Sequence, residues 1–337
     1  MNEYGSDYLF VGGLREDYCI TQDGEVFEGI LGGNAAYAAA GAHIWSDSTA
    51  IISRVGSNYP PSWLEDLSGC GINIDGVRVL QQEQDHRTFY AYLSENTRVD
   101  RNPAAHYLRI GRPLPKALVG YETSTPAQDE REHFDTLSIR SEDLPDWVQN
   151  VRAAHLSPAH YLTHCTLPVR LRELGVRMVT LDPALPYMDP RFRKELPILL
   201  HGISAFLPSE MEARAFFHPA ILDVWEMAEA FSSMGCPLVV IKSGKIGQYL
   251  WESQSGSRWH IPPYPVHTRD VTGAGDAYCG GFLVGYDRTQ DPVEAALYGS
   301  VSASMTIEGV GPLHALDAHP TLAQYRLTAL RAQVRTQ

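Results

Sequence analysis

The residues with the clearest chemical potential lie in Asp270–Phe282, DVTGAGDAYCGGF. Gly273, Ala274 and Gly275 are small and stand just before a helical run. A helix N-terminus presents unpaired backbone N–H groups and positive dipole potential. Small residues let an anion approach that backbone, so such a turn can stabilise a phosphoryl group in transfer. Asp276 falls in the first helical turn, beside this anion site. A carboxylate there can take the proton from a hydroxyl as it attacks phosphorus. The plain alternative is an acid that complements the helix dipole, with glycines serving turn geometry. It would prevail for a bare G-x-G-D, and the longer string weighs against it.

A second small-residue turn is LGGNAAYAAAG, Leu31–Gly41. Gly32 and Gly33 permit close backbone approach to a ligand, and Asn34 offers a donor and an acceptor to a polyol. A plain strand–helix connection is the competing reading. A dinucleotide fingerprint is disfavoured, because the glycine spacing is wrong and the next strand ends at Arg54 with no acid to hold a ribose. No G-x-x-x-x-G-K-[ST] loop and no G-x-S-x-G elbow occurs. In VVIKSGKIGQYLW, Val239–Trp251, Gly244 and Gly247 permit a tight turn, and Lys242 or Lys245 could approach phosphates. Ser209 and Glu212 in LPSEMEARAFF form a capping box.

These residues need elements to position them. Tyr8–Val11, Thr49–Ser53, Arg177–Asp182, Ile203–Leu207 and Leu238–Lys242 read as buried strands. Ala35–Ala42, Leu167–Leu174, Val224–Met234, Ala274–Tyr286 and Val293–Ile307 read as helices. The alternation predicts an α/β fold, doubly wound, with a mainly parallel sheet flanked by helices. Asp17–Ile30 and Arg87–Val99 are β-rich and break the alternation, which predicts a small separate sheet. Pro103–Asp146 is polar and gives no clear pattern.

Composition sets bounds on function. The net charge of −13 gives no basic face for nucleic acid or an anionic membrane, and any anionic ligand must be held by local potential. Five cysteines without a C-x-x-C pair argue for a reducing compartment. The acidic N-terminal stretch does not read as a signal peptide, and no apolar run is long enough to span a bilayer. A cytoplasmic protein is expected. His155, His160 and His164 cluster around Pro158 and read as ordinary loop histidines. Arg98, Arg101, Arg109 and Arg112 form a loose basic run that could meet a phosphate or carboxylate, or simply be solvated.

The string D-V-T-G-A-G-D, followed by a glycine-bearing helix, resembles the C-terminal signature of the ribokinase-like (PfkB) carbohydrate kinases. Leu31–Gly41 resembles their N-terminal signature, and the likeness runs from about Tyr8 to about Gly311. It implies a single ribokinase-like domain over 1–337, with a β-sheet lid from about 17–30 and 87–99. It further implies Asp276 as catalytic base, the Gly273–Asp276 backbone as anion hole, and Asp17, Gly32, Gly33 and Asn34 lining the acceptor pocket. Lys242, Gly244 and Gly247 would stand at the nucleotide. Glu212 would support Mg²⁺ through water, and Asp270 would help hold a monovalent cation such as K⁺. Two departures are Val271 where Thr is commoner and Ser209 where Asn is usual. The expected activity is ATP-dependent phosphorylation of a sugar-like hydroxyl. The alternatives are a nucleoside kinase, favoured by Phe89, Tyr90 and Tyr92 under the lid, and a non-catalytic regulator. Such chains often pair through their lids, so a homodimer is the expectation.

Overall fold

A computed structural model describes residues 6–94, 97–123, 127–319 and 321–336. In chain order its strands are β1 (Tyr8–Val11), β2 (Arg15–Ile20), β3 (Val26–Gly32), β4 (Thr49–Val55), β5 (Asn73–Val79), β6 (Arg87–Ser94), β7 (Thr97–Val99), β8 (Ala153–Leu156), β9 (Met178–Leu181), β10 (Ala205–Phe206), β11 (Leu238–Lys242), β12 (Gln248–Glu252), β13 (Ser257–Ile261) and β14 (Arg335–Thr336). The helices are α1 (Asn34–His43), α2 (Pro61–Gly69), α3 (Pro103–Arg109), α4 (Tyr161–Glu173), α5 (Leu196–Leu200), α6 (Glu210–Phe217), α7 (Val224–Ser233), α8 (Ala274–Thr289), α9 (Pro292–Thr306) and α10 (Leu322–Arg331).

Among the described residues, ten strands form one sheet in the order β14-β13-β12-β11-β10-β9-β8-β1-β4-β5. From β11 to β5 every neighbouring pair is parallel, and β12, β13 and β14 add antiparallel at one end. The central strands β1, β8 and β9 are buried throughout, as expected of strands with helices on both faces. One apolar layer joins α1, α8, α9 and α10 to the sheet, and a second joins α4, α5, α6 and α7 to the other face. The fold is therefore the doubly wound α/β sandwich.

The small sheet, order β3-β2-β6-β7, lies outside the large one. Its two faces differ in composition because side chains alternate along each strand. Tyr18, Ile20, Phe89 and Ala91 share the outer face, while Asp17, Cys19, Tyr90 and Tyr92 point the other way. This corrects the placement of Phe89, which packs outward and lines no pocket under the lid.

The unpatterned stretch Pro103–Asp146 has two roles. Tyr107, Ile110, Leu114, Leu118 and Tyr121 cover the outer face of the small sheet. The Tyr121 hydroxyl accepts from Phe89 N–H at 3.1 Å, and the Tyr107 hydroxyl donates to Glu28 Oε1 at 3.1 Å. Farther on, Asp143 is fully buried and takes Arg54 at 3.3 Å and Arg78 at 2.9 Å, tying the segment to the large sheet.

The histidines need correction too. His155 lies within β8, its Nδ1 2.8 Å from Thr180 Oγ1. His164 lies in α4, bonded to Tyr187 and to the Ser157 carbonyl. Burial lowers the pKa of both, so they behave as neutral core residues rather than loop residues. Among the described residues no helix is long and apolar enough to cross a membrane.

Candidate active site

The site lies where α8 begins, near the C-terminal ends of β9 and β11 and under the small sheet. Gly273 caps α8 with φ of 74°, a conformation that favours glycine. A Cβ there would come within 2.1 Å of the Tyr37 ring, so backbone angle and space both exclude a side chain. Asp276 follows in the first turn of α8. Burial raises its pKa to about 6, with Lys242 and Arg98 pulling down and Glu212 pushing up.

Lys242, at the end of β11, reaches the same turn: its Nζ would sit 3.5 Å from a Cβ built on Gly275. It is no surface lysine. Its side chain is only 13% exposed and forms an ion pair with Asp182, which follows β9, and its Nζ lies 3.4 Å from Cys279 Sγ. Burial alone would lower Lys242, but Asp182, Cys279 and Glu212 outweigh it and keep the ammonium charged. Burial lifts Asp182 to about 6 against the pull of Lys242. Asp182 Oδ1 is buried without a hydrogen-bond partner among the described residues.

Glu212 belongs to the capping box of α6. Its Oε2 accepts from both the N–H and the hydroxyl of Ser209 at 2.7 Å, and the Ser209 hydroxyl accepts from Glu212 N–H at 3.3 Å. Burial, then Asp182, raises Glu212 to about 7. Ser209 also bridges to Lys242 through the backbone, so the helix cap and the lysine are neighbours. Gly244 and Gly247 shape the turn from β11 to β12, where Ser243 N–H donates to the Gly247 carbonyl at 2.8 Å.

Under the small sheet, Asp17 is 2% exposed. Burial and the charge of Asp270 raise it to about 7, against a hydrogen bond from the Gly33 backbone. A Cβ on Gly32 would overlap the Asp17 carboxyl, which explains the glycine. The Asn34 amide is partly committed to the scaffold: Oδ1 accepts from Gly13 N–H at 2.7 Å and Nδ2 donates to the Pro158 carbonyl at 2.6 Å. Asp270 Oδ1 accepts from the Thr272 N–H at 3.0 Å and hydroxyl at 2.8 Å, and the Cys19 thiol lies 3.7 Å away. Asp270 Oδ2, like Asp182 Oδ1, is buried without a partner among the described residues. The Tyr92 hydroxyl lies 3.1 Å from Thr272 Oγ1, which docks the small sheet onto the anion turn.

Sequence reasoning did not single out Asp182, Cys279 or Thr272. Asp182 carried a usable signal, an acid directly after a buried parallel strand, where such folds place ligands. The small residues of α9 serve packing: Ser302 accepts from Trp45 Nε1 and donates to the Gly41 carbonyl, both at 2.8 Å.

Residues 131–318 match the model of the pfkB family carbohydrate kinases. The chain belongs to that family. It is thereby a phosphotransferase that acts on an alcohol group. Among pfkB-family relatives, an inositol 3-kinase of Arabidopsis thaliana is 33% identical over 90% of this chain and 74% of its own. A cytidine kinase of Thermococcus kodakarensis is 24% identical over 84% of this chain and 89% of its own. Among solved structures, an Escherichia coli protein described as a putative ribokinase II, in complex with ATP and Mg²⁺, superposes with a TM-score of 0.70. It is 16% identical over 96% of this chain and 99% of its own, a likeness of fold.

Proposed function

We propose that the chain transfers the γ-phosphoryl group of ATP to a hydroxyl of a sugar or related polyol, with Asp276 as general base. The observation that carries the reading is the joint placement of Asp276, the Gly273 turn and Lys242. A base, a row of helix N–H groups and a cation meet at one point, which is what phosphoryl transfer requires. Asp276 takes the acceptor proton. The Gly273–Asp276 backbone and Lys242 meet the charge of the transferring group. Asp17, Gly32, Gly33 and Asn34 hold the acceptor under the small sheet, which acts as a lid that excludes water. In this reading residues 1–337 work as one domain.

Two cations fit the residues present. Glu212 and Asp182 flank Lys242, and the unpartnered Asp182 Oδ1 suits support of a hydrated Mg²⁺. Bound with ATP, Mg²⁺ would neutralise phosphate charge. Asp270 Oδ2 would face a monovalent cation such as K⁺. A nucleoside acceptor is the second reading, favoured by Tyr90 and Tyr92 on the inner face of the lid and by the cytidine kinase relative. A purely regulatory role leaves the conjunction of base, anion turn and lysine without a purpose.

The deciding assay measures ADP formation with sugars, sugar acids, sugar phosphates, cyclic polyols and nucleosides. One acceptor class should stimulate it strongly. ATP-binding protein that none of them stimulates would count against the reading.

The pH dependence follows from Asp276. Its pKa is raised from the ordinary 3.8 to about 6, so the base is protonated and idle below that pH and ionised above it. The acid limb of kcat/KM is therefore expected near pH 6. A limb near pH 4 would mean that the essential carboxylate is not this buried one.

Residues 107–121 of the same chain bury the lid's outer apolar face, so a homodimer through the lids would pair by their edges and inner faces. Light scattering is expected to give the mass of two chains, lost on disrupting the lid. A stable mass of one chain would count against pairing through the lid.

A further inference from the structure

The fold brings one member of the loose basic run to the site. Arg101 is exposed beside Asp100, and Arg109 and Arg112 are exposed on or just after α3. Arg98 is placed differently. It lies in β7 directly opposite Tyr92 of β6, and side chains paired across strands share a face. That face is the inner one, since Tyr92 meets Thr272 immediately before the anion turn. The guanidinium stacks over the Tyr90 ring at 4.2 Å, and its charge acts on Asp276.

Arg98 has no carboxylate within ion-pair distance among the described residues: its guanidinium is packed on Tyr90 and hydrogen-bonded to the Tyr92 side chain. A guanidinium held by stacking and one side-chain bond still has further N–H donors of its five for an incoming anion. Its position favours one anion. The Tyr92–Thr272 contact fixes the β6–β7 pair over the turn that leads into Asp276, whereas Asn34 is tied to the loops around Gly13 and Pro158. Lys242 reaches the same turn from the large sheet.

We propose that Arg98 is a lid-borne catalytic residue that donates to the non-bridging oxygens of the phosphoryl group in transfer. This rests on the kinase reading above. As the acceptor oxygen bonds to the γ-phosphorus, its proton passes to Asp276. The bond from phosphorus to the β,γ-bridging oxygen breaks, and its electron pair leaves with ADP. Arg98 and Lys242 share the charge on the equatorial oxygens, one from the lid and one from the large sheet. The cationic set is complete only while the lid is docked through Tyr92, so transfer is coupled to lid closure.

The test compares Arg98→Gln, Arg98→Lys and Asp276→Asn in the ADP-formation assay, using a neutral and an anionic acceptor from whichever class the enzyme accepts. Thermal melts and calorimetric ATP binding check folding. Loss of one preorganised donor to a developing oxyanion lowers kcat by roughly 10²–10³-fold. Arg98→Gln should show a fall of that order with every acceptor, at nearly unchanged acceptor KM. Arg98→Lys should recover part of it, and added methylguanidinium should partly rescue Arg98→Gln, which a merely structural role would not allow. Unchanged kcat would overturn the proposal. So would a loss confined to the KM of an anionic acceptor, which would make Arg98 an acceptor-binding group. If Asp276→Asn is inactive while Arg98→Gln turns over normally, only the Arg98 assignment fails. If Asp276→Asn is active, the kinase mechanism itself fails.

Discussion

Asp276→Asn is expected to lower kcat by between about 10²-fold and 10⁴-fold, the usual worth of a positioned general base, while ATP binding stays near normal. The substitution keeps shape and removes only the ability to accept a proton. Asp276 lies in the first turn of α8, and Ala277 N–H donates to the Gly273 carbonyl at 2.9 Å, so the turn has its own backbone support. The anion site should therefore survive. The measurement is steady-state kcat with calorimetric ATP affinity. Loss of both together would mean that Asp276 supports the nucleotide rather than the chemistry.

Lys242→Met is expected to have the next largest effect, on stability and turnover together. Lys242 is the partner of buried Asp182 and lies in the field of Glu212 and Asp276. Removing one member of a buried ion pair costs about 3–5 kcal/mol, because the other charge is left uncompensated. The sign with pH follows. Asp182 already titrates above its ordinary 3.8, at about 6, and loss of the lysine raises it further. The ionised form is the penalised one, so the deficit is greatest at neutral and alkaline pH and shrinks as pH falls through that raised pKa. Asp276 loses the cation that holds it down, so the acid limb of activity also moves up. Denaturant unfolding at several pH values, with a kcat/KM profile, reads both effects. A stability loss independent of pH would point to packing alone.

Much of this was legible in the chain because the constraints are local. The Gly273–Asp276 string announces an anion turn and an adjacent base, and a positive φ at Gly273 with the Tyr37 ring against it is what that pattern demands. Uniformly apolar runs such as YLFV gave the central strands, since a parallel sheet is covered on both faces. What was not legible depends on contacts between distant parts of the chain. Asp182 and Lys242 are 60 residues apart, and neither neighbourhood names the other. Arg98 looked like one of four scattered arginines until strand pairing set it opposite Tyr92. The helical cover of the lid in residues 103–121 has too few apolar positions to declare a face, and only the outer side of the lid shows what they are for. His155 looked like a loop residue because its strand is four residues long and follows an unpatterned stretch.

Single-turnover transfer from γ-labelled ATP tests the central claim most directly, with wild type and Asp276→Asn each saturated with nucleotide and given the accepted polyol. Wild type should move the label to the acceptor hydroxyl, and Asp276→Asn should hold intact ATP and transfer it at least about a hundredfold more slowly. Transfer at the wild-type rate by the folded Asp276→Asn protein would contradict the account.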